Sequence, residues 1–318
     1  MTPPDDWRAL PPSAIAPLLE AEAARWRRDL AWDVTEAWRA IEPARAAGHL
    51  PGFVVRGAGG RPAGWTCYLV HRQTLQVAMV VADRAEETRA LLDGILASPE
   101  AGRASMCTVC VRAAAPGIDA ELAVRGFDVE TYRYLQLDLA APLPVEPPCR
   151  AWEIDDAVGM ARLCARAYAS ATETRAFAPH GTLDEWLEYI ATLVTGPGCG
   201  RFLPAASFAI PGRQARRPDG AVVTTDLGLG TAHLAQIAVD PDVRGRGWGR
   251  ALVQSAVGAA AAGGFRRMTL LVAGANARAT ALYDHLGFRE RAVFIVGVRR
   301  VPRRLRRAAL EPAAVVAR

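Results

Sequence analysis

The order in which apolar strands and helices follow one another is read twice in this chain, and that repetition limits the fold more than any other feature. After two opening helical stretches, "PSAIAPLLEAEAARWRRDL" and "DVTEAWRAIEPARAAG", the runs "GFVVR", "AGWTCYLV" and "LQVAMVVA" predict three strands. The helix "AEETRALLDGILAS", the strand "MCTVCV", the helix "IDAELAVRGF" and the strand "ETYRYLQLDL" complete a first set. A second set opens with the helices "DDAVGMARLCARAYAS" and "TLDEWLEYIATLVTG" and continues through the strands "RFLPAASFAI", "AVVTTDLGL" and "AHLAQIAV". The helix "GWGRALVQSAVGAAAAGG", the strand "RMTLLVAG", the helix "ARATALYDHLGF" and the strand "AVFIVGV" close it. Strands alternating with helices predict an α/β chain, with an α+β mixed sheet covered on both faces. Repetition of the whole order predicts a tandem duplication.

The boundaries follow from composition. Residues 1–140 form the first expected domain, the proline-rich 141–149 a linker, 150–300 the second domain and 301–318 a basic tail. With 318 residues, 51% of them apolar, the chain can build two cores without disulfides or metals. Its start, "MTPPDDWRAL", is polar and acidic, and no long apolar span follows, so a cytoplasmic protein without a membrane partner is expected. Cys107 and Cys110 sit at i and i+3 of a strand, on opposite faces, and read as buried small hydrophobes; no metal is expected. The net charge is +5 and every basic residue is arginine. The arginine run "RRVPRRLRRAAL" has neither aromatic interleaving nor a known reading motif, which argues against nucleic acid. A homo-oligomer stays open.

The stretch "VDPDVRGRGWGRALV", residues 239–253, alternates Gly245, Gly247 and Gly249 with Arg244, Arg246 and Arg250. The strand ends at Val239, turns through Pro241 and enters a helix near Gly247. Glycines let successive N–H groups face one concavity, and the first N–H groups of a helix lack internal partners and carry its positive dipole end. Such a turn suits a phosphate or pyrophosphate. The spacing is R-x-x-G-x-G rather than G-x-G-x-x-G, and no Walker lysine follows.

Joined to "NARATALYDHLGF" downstream, this stretch resembles the acetyl-CoA signature of the GNAT superfamily of N-acyltransferases. Val239, Pro241, Arg244, Gly247, Gly249, Asn276, Ala279, Leu282, Tyr283, Gly287 and Phe288 fill the family pattern, and the element order agrees from about 150 to 300. The resemblance implies acetyl-CoA as acyl donor. It places the pyrophosphate on the turn formed by Arg244, Gly245, Arg246, Gly247, Trp248, Gly249 and Arg250. The pantetheine arm would pair with the backbone of Ile237, Ala238 and Val239, on a strand that splays from its neighbour. Asn276, with Ala279 beyond it, would hold the arm, and Tyr283 would stand beside the thioester sulfur. Asn276 also fits a helix N-cap, and Tyr283 an amphipathic packing position.

Amide formation needs a neutral amine, a polarised carbonyl and a protonated thiol. Presenting a lysine-like amine neutral at pH 7 costs about 4.6 kcal/mol, so a general base is useful. Period two places His233, six residues before Val239, on the same strand face, with Gln236 opposite. His233 resembles the first histidine of the HLH strand of aralkylamine N-acetyltransferases, the second being Ala235 here. A hydrogen-bonded structural histidine is the other reading. Glu173, Arg175 and His180 fall on the loop between the opening helices of the second half, where the resemblance places the acceptor pocket.

Aligning Val81 with Val239 sets Glu86, Glu87, Arg89 and Leu91 against Arg244, Gly245, Gly247 and Gly249, and matching "ELAVRGF" to "LYDHLGF" sets Leu122 against Tyr283. The first copy is therefore expected to keep the fold and lose the site, as in tandem GNAT proteins with one degenerate copy. Trp26, Trp32 and Trp38 fit either core packing or an interface. The function expected is acetyl transfer from acetyl-CoA to an amine of a small-molecule acceptor, by direct attack in a ternary complex. The alternatives are a longer-chain acyl-CoA N-acyltransferase of antibiotic-tailoring type and a non-catalytic CoA-binding regulatory protein.

Overall fold

The computed structural model describes residues 3–57, 59–140, 148–169, 171, 173–196, 199–212 and 217–301. Most of the expected linker (141–147) and all but the first residue of the expected tail (302–318) lie outside the described residues. The chain opens with β1 (Asp5–Asp6), α1 (Pro12–Leu30), α2 (Thr35–Trp38), α3 (Ile41–Ala46), β2 (Gly52–Arg56), β3 (Pro62–His71) and β4 (Thr74–Ala82). Next come α4 (Ala85–Ala97), α5 (Pro99–Arg103), β5 (Met106–Arg112), α6 (Ile118–Val124) and β6 (Asp128–Asp138). The second set comprises β7 (Arg150–Ala151), α7 (Asp156–Ala167), α8 (Leu183–Thr195), β8 (Arg201–Phe202), β9 (Phe208–Ile210), β10 (Gly220–Asp226) and β11 (Thr231–Val239). It ends with α9 (Trp248–Ala262), β12 (Arg267–Ala273), α10 (Ala277–His285) and β13 (Arg289–Arg300).

Two expected elements are broken by proline. The helix expected over 33–48 is split into α2 and α3, because Pro43 lacks an N–H and fits only the first turn of a helix restarted at Ile41. The strand expected over 201–210 becomes β8 and β9 around a 3-10 turn at Pro204–Ala206.

The chain divides into two compact units, and not at the proline-rich stretch. One unit holds residues up to Leu19, Ala40–Thr131 and those from Val293; the other holds Glu20–Arg39 and Tyr132–Ala292. The expected division at 140 to 150 is corrected because the last strand of each set has gone to the other unit. Tyr132 to Asp138 of β6 pair antiparallel with β12, while Phe294 to Arg300 of β13 pair antiparallel with β5. A period-two pattern marks a strand and its faces but carries no record of its partner.

Within the first unit the strand order is β1-β2-β3-β4-β5-β13; within the second it is β6-β12-β11-β10-β9-β7, with β8 also on β10. In each unit the strands are covered on both faces, as their near-continuous apolar sequence requires. In the first unit Leu91, Leu92 and Ile95 of α4 pack with Val77, Val109 and Val111 on one side. Trp7, Ile15, Trp65 and Cys67 pack on the other. In the second unit α9 and α10 cover one face through Leu252, Ala256 and Tyr283, and α7 and α8 the opposite one through Met160, Trp186 and Ile190. Cys107 is buried in the first unit's core, and burial pushes its thiol up to about 11 and that of Cys110 to about 12.

Candidate active site

Two irregularities in β11 make the site. Its parallel pairing with β12 runs only from Thr231–Arg267 to Leu234–Leu270, after which the strands separate. Its antiparallel pairing with β10 slips at the same place: Thr224 faces Leu234 but Val223 faces Gln236, leaving Ala235 as a bulge. The extra residue reverses side-chain parity. Ala232 and Leu234 pack on the α9 face, yet beyond the bulge it is Ile237 and Val239 that do so, while Ala238 packs toward α7. His233 therefore lies on the same face as Gln236 and Ala238, and the expectation that it shares a face with Val239 is corrected. A single inserted residue flips every position after it.

His233 is accordingly buried, with 4% of its surface exposed. Its ring lies between those of Trp32 and Tyr134, at 5.7 and 6.0 Å, and Nδ1 is 2.9 Å from Thr269 Oγ1. Burial lowers its pKa to about 4. Trp26 meets Trp32 and Trp38 edge-on at 5.0 and 5.9 Å, so the three tryptophans form one cluster on a segment of the second unit.

The end of β11 leads into the glycine turn. Asp240, buried, accepts from the Asp242 N–H at 3.0 Å and from Arg166 Nη2 at 2.6 Å, which fixes the turn at Pro241. Arg244 Nη2 donates to the Ala167 carbonyl at 2.9 Å. Gly245 and Gly247 have φ of +88° and +81°, a left-handed conformation in which a side chain costs about 1–2 kcal/mol. Gly247 is the N-cap of α9, and the Ala251 N–H bonds its carbonyl at 3.0 Å. The N–H groups ahead of Ala251 have no carbonyl of their own helix to meet. The Arg246 guanidinium lies 5.5 Å over the Trp248 ring.

Turn, splay and α10 line one groove of about 940 Å³. Arg244, Arg250 and Arg278 line it and, among the described residues, no carboxylate does. Gly249 and Ala279 border it without bulk. Asn276 caps α10, its Oδ1 accepting from the Ala279 N–H at 3.1 Å, and also lines the groove, so the capping role is present and its amide group stands at the groove wall. Tyr283 is 5% exposed, edge-on to Phe288 at 5.7 Å, and its hydroxyl has no hydrogen-bond partner among the described residues. Burial raises its pKa to about 12, so at neutral pH it is a proton donor.

Part of the groove lining is aromatic. Tyr132 and Phe177 meet edge-on at 6.2 Å, and both line it with Thr174 and Tyr168. Sequence reading passed over Tyr168, which sits at the C-terminal end of α7 inside an ordinary amphipathic pattern. Of the loop residues singled out, Glu173 and Arg175 fall in a 3-10 turn at Glu173–Ala176. His180 Nδ1 is 2.7 Å from Glu185 Oε1 at the start of α8, where Glu185 also accepts from the Thr182 N–H. These contacts fasten a helix start.

Residues 204–288, which hold the bulge, the glycine turn, Asn276 and Tyr283, match the Acetyltransferase (GNAT) family. The chain carries a GNAT acetyltransferase domain. Over 259 residues it is 29% identical to a mycothiol acetyltransferase of Clavibacter michiganensis, covering 76% of this chain and 78% of that one. A GCN5-related N-acetyltransferase from Sphaerobacter thermophilus has a similar fold, with a TM-score of 0.59 at 18% identity over 90% of this chain and 91% of the other. So does a tandem GNAT protein from the clavulanic acid biosynthesis pathway, at a TM-score of 0.51 and 18% identity over 80% and 83%. No helix among the described residues is long and apolar enough to cross a membrane.

Proposed function

We propose that the groove of the second unit binds acetyl-CoA and that the chain transfers the acetyl group to an amine of a small-molecule acceptor within a ternary complex. The observation that carries this reading is what one groove brings together: arginines and open helix N–H groups, a protonated buried tyrosine and uncharged aromatic rings. The pyrophosphate would take the N–H groups from Arg244 to Gly249, where two left-handed glycines leave open space. The pantetheine arm would run along Ile237, Ala238 and Val239, where β12 has turned away, with the Asn276 amide beside it. A polarised carbonyl invites attack by the amine, the departing thiolate takes its proton from the Tyr283 hydroxyl, and the phenolate regains through solvent the proton that the amine nitrogen loses. His233 has no part in this reading, because its ring is packed on the face away from Ile237 and its pKa of about 4 suits neither end of the proton transfer at pH 7.

Release of free CoA thiol on incubation with acetyl-CoA and a panel of amino sugars, amino acids and aryl amines tests the reading. Thiol release that depends on the amine supports it. Saturable acetyl-CoA binding without turnover of any amine makes the groove a CoA-binding site alone, and preference for a longer acyl-CoA would move the donor class.

A further inference from the structure

Three consecutive residues at the end of α7 reach the wall of the groove. Arg166 donates to Asp240 at 2.6 Å, the Ala167 carbonyl accepts from Arg244 at 2.9 Å, and the Tyr168 hydroxyl donates to the Ile237 carbonyl at 2.6 Å. The first two fasten the glycine turn. The third is different in kind, because it uses a side-chain hydroxyl to hold a strand carbonyl on the edge that β12 has vacated.

In a strand of an antiparallel pair, the N–H and C=O of one residue lie on the same edge. Ile237 faces Val222 of β10, but its carbonyl turns to Tyr168, so its N–H opens on the same side, into the splay. That N–H is the kind of donor that could polarise a thioester carbonyl laid along the strand. Gln236 Nε2 donates to the phenol oxygen at 3.1 Å, which leaves the phenol hydrogen for the Ile237 carbonyl. Tyr168 also stacks on Trp186, itself 1% exposed, with ring centres 5.4 Å apart and planes 24° from parallel. The bulge at Ala235 is what brings Gln236 to this face, next to α7.

We propose that Tyr168 is a positioning residue for acyl transfer: held by Gln236 and Trp186, it fixes the Ile237 peptide so that the Ile237 N–H is aimed at the acyl carbonyl. This rests on the reading of the groove as an acetyl-CoA site. Burial holds the Tyr168 phenol far above its ordinary pKa, so the donor persists across the working range of pH. The effect acts on the developing oxyanion and not on cofactor affinity, which distinguishes it from packing.

The test is isotope-edited infrared spectroscopy of [1-13C]acetyl-CoA bound to the full chain, run beside kinetics. In the unsubstituted protein the thioester carbonyl stretch falls on binding. In Tyr168→Phe at least about half of that fall is lost and kcat drops about 10- to 100-fold, less than removal of an oxyanion donor itself, while KM for acetyl-CoA stays within about 3-fold. Gln236→Leu keeps the phenol and its stack; it loses a smaller part of the carbonyl shift, in the same direction. A full carbonyl shift and full kcat in Tyr168→Phe overturn the proposal even though acetyl-CoA binds. Failure of acetyl-CoA to bind the unsubstituted protein removes the acetyl-CoA reading itself, and the proposal with it.

Discussion

The two units contain the same splay and the same bulge, and then part at the next turn. β4 pairs in parallel with β5 only from Thr74–Met106 to Val77–Val109, as β11 does with β12, and Ala78 bulges where Ala235 does. This register sets Gln76 opposite Thr108 where His233 stands opposite Thr269, one residue away from the alignment of Val81 with Val239. After the strand, the first unit reaches its helix through Asp83 and Arg84 alone, whereas the second takes Asp240 to Gly247. The first helix start is closed by its own chain: Glu87 accepts from the Asp83 and Arg84 N–H groups at 3.1 and 3.2 Å and pairs with Arg84 at 2.6 Å. A carboxylate thus takes the position at a helix N-terminus where the second unit presents open N–H groups and arginine. The lesson is that the splay and bulge of the strand can persist while the turn after it is shortened and one buried acid satisfies the helix start internally.

The largest expected effect comes from giving the second turn the charge of the first. Gly247→Asp places a side chain at φ +81° and a negative charge in the proposed pyrophosphate concavity. Affinity for acetyl-CoA should fall by more than about 100-fold, because a repelled phosphate and a strained backbone act together. Titration calorimetry should show no heat while the melting transition stays cooperative. Undiminished affinity would place the phosphate site outside this turn.

Next in size is the chemistry that the first unit lacks. Leu122, fully buried in the first unit's core, stands where the sequence alignment sets Tyr283. Tyr283→Phe should lower turnover by about 10²–10⁴ with cofactor affinity nearly unchanged, since only the proton donor is removed. Equal kcat in the variant would show that the thiolate leaves unaided or takes its proton elsewhere.

Much of this was legible in the residues. Most strand and helix positions, the glycine turn, the cap at Asn276 and the acids at the first helix start depend on local spacing, and the structure has them where they were expected, except where proline breaks the helix over 33–48 and the strand over 201–210. The exchanged last strands were not legible, because "ETYRYLQLDL" and "AVFIVGV" show alternation and nothing about their partners. The bulge at Ala235 was invisible for a related reason: one inserted residue leaves composition unchanged and inverts parity, which moved His233 off the groove face and brought Gln236 to Tyr168.

His233 offers a third, smaller contrast, with Gln76 as the first unit's neutral counterpart. The folded-state imidazole has a pKa of about 4 against about 6.5 when unfolded. Between those values the unfolded chain binds more protons, so stability rises with pH; it is complete above about 6.5 and is lost as pH falls toward 4. The loss amounts to about 3 kcal/mol at the acid end. His233→Gln should flatten this slope in melting experiments at pH 4 to 7 and leave the pH dependence of turnover above pH 6 unaltered. A slope that survives the substitution would assign the acid sensitivity to other groups.

The smallest effect belongs to the first unit's own acid. Glu87→Gln keeps the side-chain shape and removes the charge at the N-terminus of α4, so the helix start loses about 1 kcal/mol of stabilisation. The melting temperature should fall by a few degrees, since the chain is large and the lost energy small. No acyl-CoA site should appear. The turn there is six residues shorter, as eight residues separate strand from helix in the second unit and two in the first, and Ala85 already begins the helix. Neutralising one acid therefore uncovers N–H groups without supplying the left-handed glycines or the arginines that surround the other turn. Titration of either protein with acetyl-CoA should saturate near one equivalent per chain. A second equivalent in Glu87→Gln would mean that charge alone closes the first site, and a second equivalent already present in the unsubstituted chain would end the contrast between the two turns.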